Sequence, residues 1–237
     1  MAKLLASDFD CTFYLNDEDM EQNKLFVNKY MELGNLFVIA TGRSYSAFQN
    51  VLNRFQFNYN YVILNHGSTI VDKDGQILFN TAIPNEILPC LEKDLELDTC
   101  EKFFCCSGVE SGLNFTNKDL SKIHVKYDSE ERSLQMANII NQKHGDYVTA
   151  YFMNTDFIEI ISNKTSKANA IYKLMDHCGK IDKSNVYTIG DSYSDMEMVG
   201  EFNGFCIRGS VPELKAISNA EYSSVSLLLK DIIEGKR

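Results

Sequence analysis

Near the amino end, Asp8-Phe9-Asp10-Cys11-Thr12 follows directly on the apolar run Lys3 to Ser7. Residues two apart on an extended segment project to the same side, so both carboxylates address one spot from backbone sites about 7 Å apart. Converging carboxylates repel and keep their charge only beside a cation. Magnesium, which takes oxygen ligands and retains waters, is the matching ion. The plain alternative for these five residues is a solvated acidic turn.

Three further groups stand where chemistry is expected. Gly190-Asp191-Ser192-Tyr193-Ser194-Asp195 follows an apolar run and precedes a helical pattern. Ser194 with Glu197 fits a capping box, and Asp195 in a first turn suits the helix dipole; neither accounts for Asp191. In Thr41-Gly42-Arg43, a hydroxyl and adjacent backbone N–H groups before a helix can hold an anionic oxygen. Lys167 comes directly after the expected cap Ser166, where an ammonium opposes the helix dipole unless carboxylates or a phosphoryl group face it. Lys164 is the less favoured candidate for that cation.

The elements that must position these groups alternate. Lys3 to Ser7, Leu36 to Ala40 and Tyr61 to Leu64 read as strands; Asp19 to Leu33, ended by Gly34, and a stretch capped by Ser44 read as helices. Asp74-Gly75 between alternating runs signals a hairpin. From about residue 82 the rhythm changes to helix (to about Leu97), strands at Lys102 to Cys106 and Leu113 to Thr116, helix at Glu130 to Lys143, and strands at Tyr147 to Met153 and Phe157 to Ser162. The first rhythm then returns: helix Ser166 to Cys178, strand Val186 to Ile189, helix Ser194 to Gly200, strand Gly204 to Ile207, and two short helices. The pattern predicts an α/β fold, a Rossmann-like parallel-sheet core domain (1–82 and 163–237) split by an inserted α+β domain (83–162) with an antiparallel sheet and two helices.

Composition bounds the partners. The 237 residues carry 23 Lys plus Arg against 33 Asp plus Glu, a net charge of −10. That balance argues against nucleic-acid or anionic-membrane binding, which a basic field steers. No apolar run approaches the ~18 residues of a membrane span, and the start turns acidic too early for a signal peptide. Seven cysteines without a C-x-x-C pair read as free thiols in a reducing cytoplasm.

Taken in order, the strings DFDCT, ATGR, SNKTSKANAI and IGDSYSDMEM resemble the haloacid dehalogenase superfamily of phosphotransferases, most closely its Cof-like branch. The resemblance covers both halves of the core, and the insertion falls where that branch carries its substrate-covering cap. It implies a magnesium-dependent phosphatase acting on a small phosphorylated metabolite: a sugar phosphate, nucleotide or phosphorylated cofactor. Asp8 would be the nucleophile and Asp10 the general acid and base. Magnesium would be held by Asp8, the Asp10 carbonyl, Asp191 and Asp195, the last directly or through water. Thr41, Lys167, Ser194 and the backbone at Phe9 and Gly42 would bind phosphoryl oxygens. Arg43, Asn65 and His66 would reach the leaving group, with Lys102, Lys118, Lys122, His124 and Arg132 as candidates from the insertion.

Several positions depart from the family pattern. Cys11 replaces a glycine, which predicts an altered turn because a side chain tolerates positive φ poorly. Ser194 stands where asparagine is usual, and Ser162, Lys164 and Ala168 replace a proline and two glycines. Every charged catalytic position is retained. The competing activities are a phosphomutase using the same aspartyl phosphate and a non-catalytic phosphosugar-binding protein. A signalling receiver is disfavoured, since Asn65-His66 occupies the place of its phosphorylated aspartate. The oligomeric state is expected to be monomer or homodimer.

Overall fold

In the computed structural model, which describes residues 2–153 and 155–237, the chain opens with β1 (Leu4–Ser7), α1 (Asp17–Glu32), β2 (Leu36–Ala40), α2 (Tyr45–Phe55) and β3 (Tyr61–Leu64). A hairpin of β4 (Thr69–Asp72) and β5 (Ile77–Asn80) follows. Its turn at Gly75 has φ of +83°, and the Asp72 carboxylate accepts from the backbone of Asp74 and Gln76. The middle of the chain supplies α3 (Leu88–Asp94), β6 (Lys102–Ser107), β7 (Glu110–Leu113), β8 (Lys122–Lys126), α4 (Glu130–His144), β9 (Val148–Phe152) and β10 (Phe157–Ser162). The last part adds α5 (Lys167–His177), β11 (Val186–Gly190), α6 (Met196–Glu201), β12 (Asn203–Ile207), α7 (Pro212–Ile217), β13 (Glu221–Tyr222) and α8 (Val225–Ile233).

Eight strands make one sheet in the order β13-β12-β11-β1-β2-β3-β4-β5, parallel from β13 to β3 and antiparallel beyond. Helices cover both faces, which is why the central strands are almost wholly apolar. Alternation splits each strand between two cores. Leu5, Phe37 and Ile39 join α1 and α8 through Val27, Leu228 and Leu229. Leu4, Ala6, Val38 and Ala40 meet α5 and α6 through Ile171, Leu174 and Met198.

The second sheet is antiparallel, in the order β7-β6-β8-β10-β9. Ile123, Val125, Ile158 and Ile160 on one face pack with Leu91 of α3 and Met136 and Ile140 of α4. The alternate residues, Lys122, His124, Phe157 and Glu159, line the cleft toward the first sheet.

Three local expectations are corrected. No strand was expected at β8, yet Lys-Ile-His-Val-Lys alternates cleanly; its polar face reads as loop only until the cleft it lines is known. The strand expected at Leu113 to Thr116 ends at Leu113, because the Asn114 carboxamide accepts from Thr116 N at 2.9 Å and turns the chain. Capping after β11 closes on Ser192 and Asp195, not on Ser194 and Glu197: the Asp195 carboxylate accepts from Ser192 N and Oγ, each at 3.1 Å.

Candidate active site

Strands β1, β2 and β11 lie side by side and end at the same edge, where open parallel sheets receive ligands. Asp8, Thr41 and Asp191 each follow one of these ends. Pairing of Ser7 with Ile189 brings the first and last loops together, and Thr12 Oγ1 donates to Asp191 Oδ1 at 2.9 Å. Cys11 takes φ of +59°. Its side chain is therefore carried in the left-handed region, at a strain of roughly 1–2 kcal/mol.

Lys167 enters from α5, whose first turn is fixed by Ser166 Oγ accepting from Asn169 N at 3.1 Å. Its ammonium, 2% exposed, donates to Asp8 Oδ1 at 2.6 Å and to Asp195 Oδ1 at 2.7 Å. Carboxylate oxygens of Asp8, Asp191 and Asp195 all lie within 4.8 Å of one another. Burial, only partly countered by Lys167, pushes the Asp8 carboxyl well above its ordinary range, and Asp195 and Asp191 push it further. Asp191 rises to about 6, first through burial and then through Asp195. Burial works against the Lys167 ammonium, but Asp195 and Asp8 together raise its pKa above the usual lysine value. One ammonium among three carboxylates leaves an excess of negative charge.

The donors suit a hard divalent cation. Asp195 is fully engaged, Oδ1 with Lys167 and Oδ2 with the N–H groups of Asp191 and Ser192 and the Ser192 hydroxyl. Asp8 and Asp191 each keep an oxygen with no N–H or O–H donor among the described residues. An all-oxygen set with unspent carboxylate valence fits magnesium, and the arrangement favours Asp195 as the residue that shapes the Asp191 loop and anchors Lys167.

Asp10 stands apart from that group. Its carboxylate is gripped by the Arg43 guanidinium, Nη2 to Oδ1 at 2.7 Å and Nε to Oδ2 at 2.8 Å, while Arg43 lies over the Phe9 ring. The hydrogen bond with Asp10 raises the Arg43 pKa. Thr41 is buried beside them, its hydroxyl accepting from Arg43 N at 3.1 Å. The Phe9 ring is buried in the core, and Ser194 shares a hydrogen bond with Ser192. Asp8, Asp10, Thr41, Gly42, Arg43, Lys167, Asp191 and Ser194 all border one cavity of about 420 Å³.

The second sheet closes that cavity with a cluster that residue spacing did not reveal. Glu159, 6% exposed, accepts from Lys122 at 2.6 Å, meets His124 Nδ1 at 3.2 Å and pairs with His66 Nε2. Lys122 also donates to the Gly42 carbonyl at 2.6 Å, which joins the two sheets. Burial favours the neutral acid at Glu159, but the Lys122 ammonium and the His124 and His66 hydrogen bonds outweigh it and hold the carboxyl well below its usual range. His66 is lowered by burial. Gly42 belongs here sterically, since a Cβ would sit 2.4 Å from the His66 ring.

Of the insertion candidates, Lys122 and His124 face the cavity, while Lys102, Lys118 and Arg132 do not border it; Arg132 pairs with Glu96. Asn65 is buried away from the cavity beside Thr69 and Ser121. Glu159 was legible in one respect, as a lone carboxylate in the apolar run Phe-Ile-Glu-Ile-Ile.

Comparison with known proteins agrees with this geometry. The model of the haloacid dehalogenase-like hydrolases matches residues 5–111 and 106–226. A Buchnera aphidicola protein named "Putative phosphatase" is 23% identical, over 98% of both chains. Among solved structures, a "putative HAD/COF-like hydrolase" of Plasmodium vivax is similar with a TM-score of 0.84 at 20% identity, covering 98% of this chain and 96% of its own. A haloacid dehalogenase-like hydrolase of B. subtilis follows with a TM-score of 0.82 at 16% identity, covering 96% and 99%. The chain thus belongs to the haloacid dehalogenase-like hydrolases and is an enzyme of the hydrolase class.

Proposed function

We propose that this hydrolase is a magnesium-dependent phosphatase that cleaves small phosphate monoesters through an aspartyl phosphate on Asp8. The observation that carries the reading is the convergence of Asp8, Asp191 and Asp195 at the edge of the parallel sheet, with buried Asp8 and Asp195 both paired to the Lys167 ammonium. Residues 1–82 and 163–237 form the catalytic core in this reading, with 83–162 as the cap. The relative named as a phosphatase and the seven free cysteines support a cytoplasmic enzyme of this kind.

The free oxygen of Asp8 attacks phosphorus, a new P–O bond forms, and the bond to the substrate's alkoxide breaks. Asp10 gives its proton to that alkoxide and then takes one from the water that attacks the aspartyl phosphate, so Asp8 and inorganic phosphate are released. Two of the three Lys167 N–H donors are spent on Asp8 and Asp195; the third is available to a phosphoryl oxygen. Thr41 and the backbone at Phe9 and Gly42 hold the remaining oxygens, with Ser194 at the cavity edge. Asp8, Asp191 and the Asp10 carbonyl would hold magnesium, which would supply the positive charge that a phosphate dianion needs in this acidic site. Arg43 grips both carboxylate oxygens of Asp10 in the resting enzyme, so Asp10 acts as an acid only after that grip opens and the carboxyl has taken a proton from solvent.

Phosphate release from p-nitrophenyl phosphate tests the reading, in magnesium and in EDTA, for wild type and Asp8→Asn. Release is expected only from wild type in magnesium. Release that persists in EDTA or in the variant would overturn it.

A further inference from the structure

The roof of the cavity points to the kind of alcohol the phosphate is attached to. This inference rests on the phosphatase reading for the bond that is cleaved and adds the leaving group. Phe104 of β6 stands directly opposite His124 of β8, and Phe157 of β10 stands diagonally beyond it. Their rings form a row, Phe104 to His124 at 4.6 Å and 20°, His124 to Phe157 at 4.7 Å and 33°.

This row is not part of the second sheet's apolar core. That core is built from the alternate residues Ile123, Val125 and Ile158 on the opposite face. The row is half-buried and lines the cavity together with Met153, whose thioether makes favourable contacts with rings. Both faces of His124 are covered by phenylalanines, and its Nδ1 is spent on Glu159. Among the described residues its ring edge with Nε2 has no partner, which leaves a polar contact in an aromatic wall.

The polar groups of the same roof are committed elsewhere. Lys122 and Glu159 bond to each other, to Gly42 and to the two imidazoles, and both are nearly inaccessible. Reading the hydroxyls of a sugar takes polar groups that a ligand can reach, and those two are buried behind the rings. A flat ring suits what is left, because ring edges meet a π face favourably. A cavity of about 420 Å³ lies toward the small end of ligand sites, which run from roughly 300 to 1,000 Å³. We propose that the substrate is a phosphate monoester whose alcohol carries one flat aromatic or heteroaromatic ring, held against Phe104, His124 and Phe157.

The test compares three phosphates: benzyl phosphate, cyclohexylmethyl phosphate of similar bulk, and glucose 6-phosphate. Binding to Asp8→Asn protein is measured by calorimetry in magnesium, and kcat/KM is measured for wild type. Benzyl phosphate is expected to bind about three- to tenfold more tightly than its saturated counterpart, from the usual strength of aromatic pairs, and more tightly than glucose 6-phosphate. Phe104→Leu and Phe157→Leu, introduced separately into the Asp8→Asn protein, should bring the benzyl-to-cyclohexylmethyl ratio toward one. Glucose 6-phosphate binding as well as benzyl phosphate, or an unchanged ratio in both leucine variants, would overturn the proposal. An intact benzyl preference with no turnover of any ester would support the ring site and refute the hydrolytic reading instead.

Discussion

Two buried charge clusters face each other across the cavity, and their bookkeeping differs. Around Lys167 stand Asp8, Asp191 and Asp195, and the Asp8 and Asp191 carboxyls are pushed up. Around Glu159 stand Lys122, His66 and His124, and the carboxyl is held down. Asp8 and Glu159 are both buried, so burial alone does not decide the direction. The ratio of positive to negative partners does. A balanced cluster fastens the second sheet to the loop after β2 through Gly42; an overcharged one retains an unmet demand for a cation, which the proposed phosphate site would need before an anionic substrate arrives.

The largest break in this comparison is Asp8→Asn. Turnover should fall by about 10⁴-fold or more, while melting of the metal-free protein stays level or rises because one of three repelling carboxylates is gone. Phosphate-release kinetics and thermal melts read the two effects. Next come Lys167→Met and Lys122→Met, each stranding buried carboxylate charge at a cost of about 3–5 kcal/mol. Denaturant melts with and without magnesium should separate them, because magnesium should stabilise the Lys167 variant by more than it stabilises wild type, and the Lys122 variant only by as much as wild type.

Acid sharpens the contrast, because the two clusters respond with opposite sign. Asp191 has a folded pKa of about 6, raised from 3.8. Its contribution is therefore complete below the unfolded value and is lost as pH rises through about 6. Glu159 is depressed, so its contribution is present above the unfolded value and is lost as pH falls through its low folded value. His66, buried neutral, loses stability as pH drops below its ordinary range. In EDTA, Asp191→Asn should therefore melt above wild type near about pH 7.5, with the gap closing toward about pH 4. Glu159→Gln should melt below wild type at the higher pH. The smallest effect belongs to Cys11→Gly, which relieves the positive φ but adds unfolded-state freedom, for a net change of about 1 kcal/mol or less in denaturant melts.

Much of the overcharged cluster was readable in the sequence, because parallel strands fix the position of the residue that follows each of them. Asp8, Thr41, Asp191 and the Ser166-capped Lys167 stand where strand ends and a helix start require. The balanced cluster was only partly readable. Lys122, His124 and Glu159 converge through antiparallel register between strands far apart in the chain, and one of those strands has a polar face that hides it. Register of that kind has no local signature. The Arg43 grip on Asp10 was hidden for a different reason: spacing placed both residues at the site but says nothing of their pairing.

Magnesium titration by calorimetry, on wild type, Asp191→Asn and Glu159→Gln, tests the central claim most directly. Wild type and Glu159→Gln should each bind one ion, and Asp191→Asn should show little or no binding. Absence of binding to wild type, or equal binding by Asp191→Asn, would contradict the assignment of the cation site to the overcharged cluster.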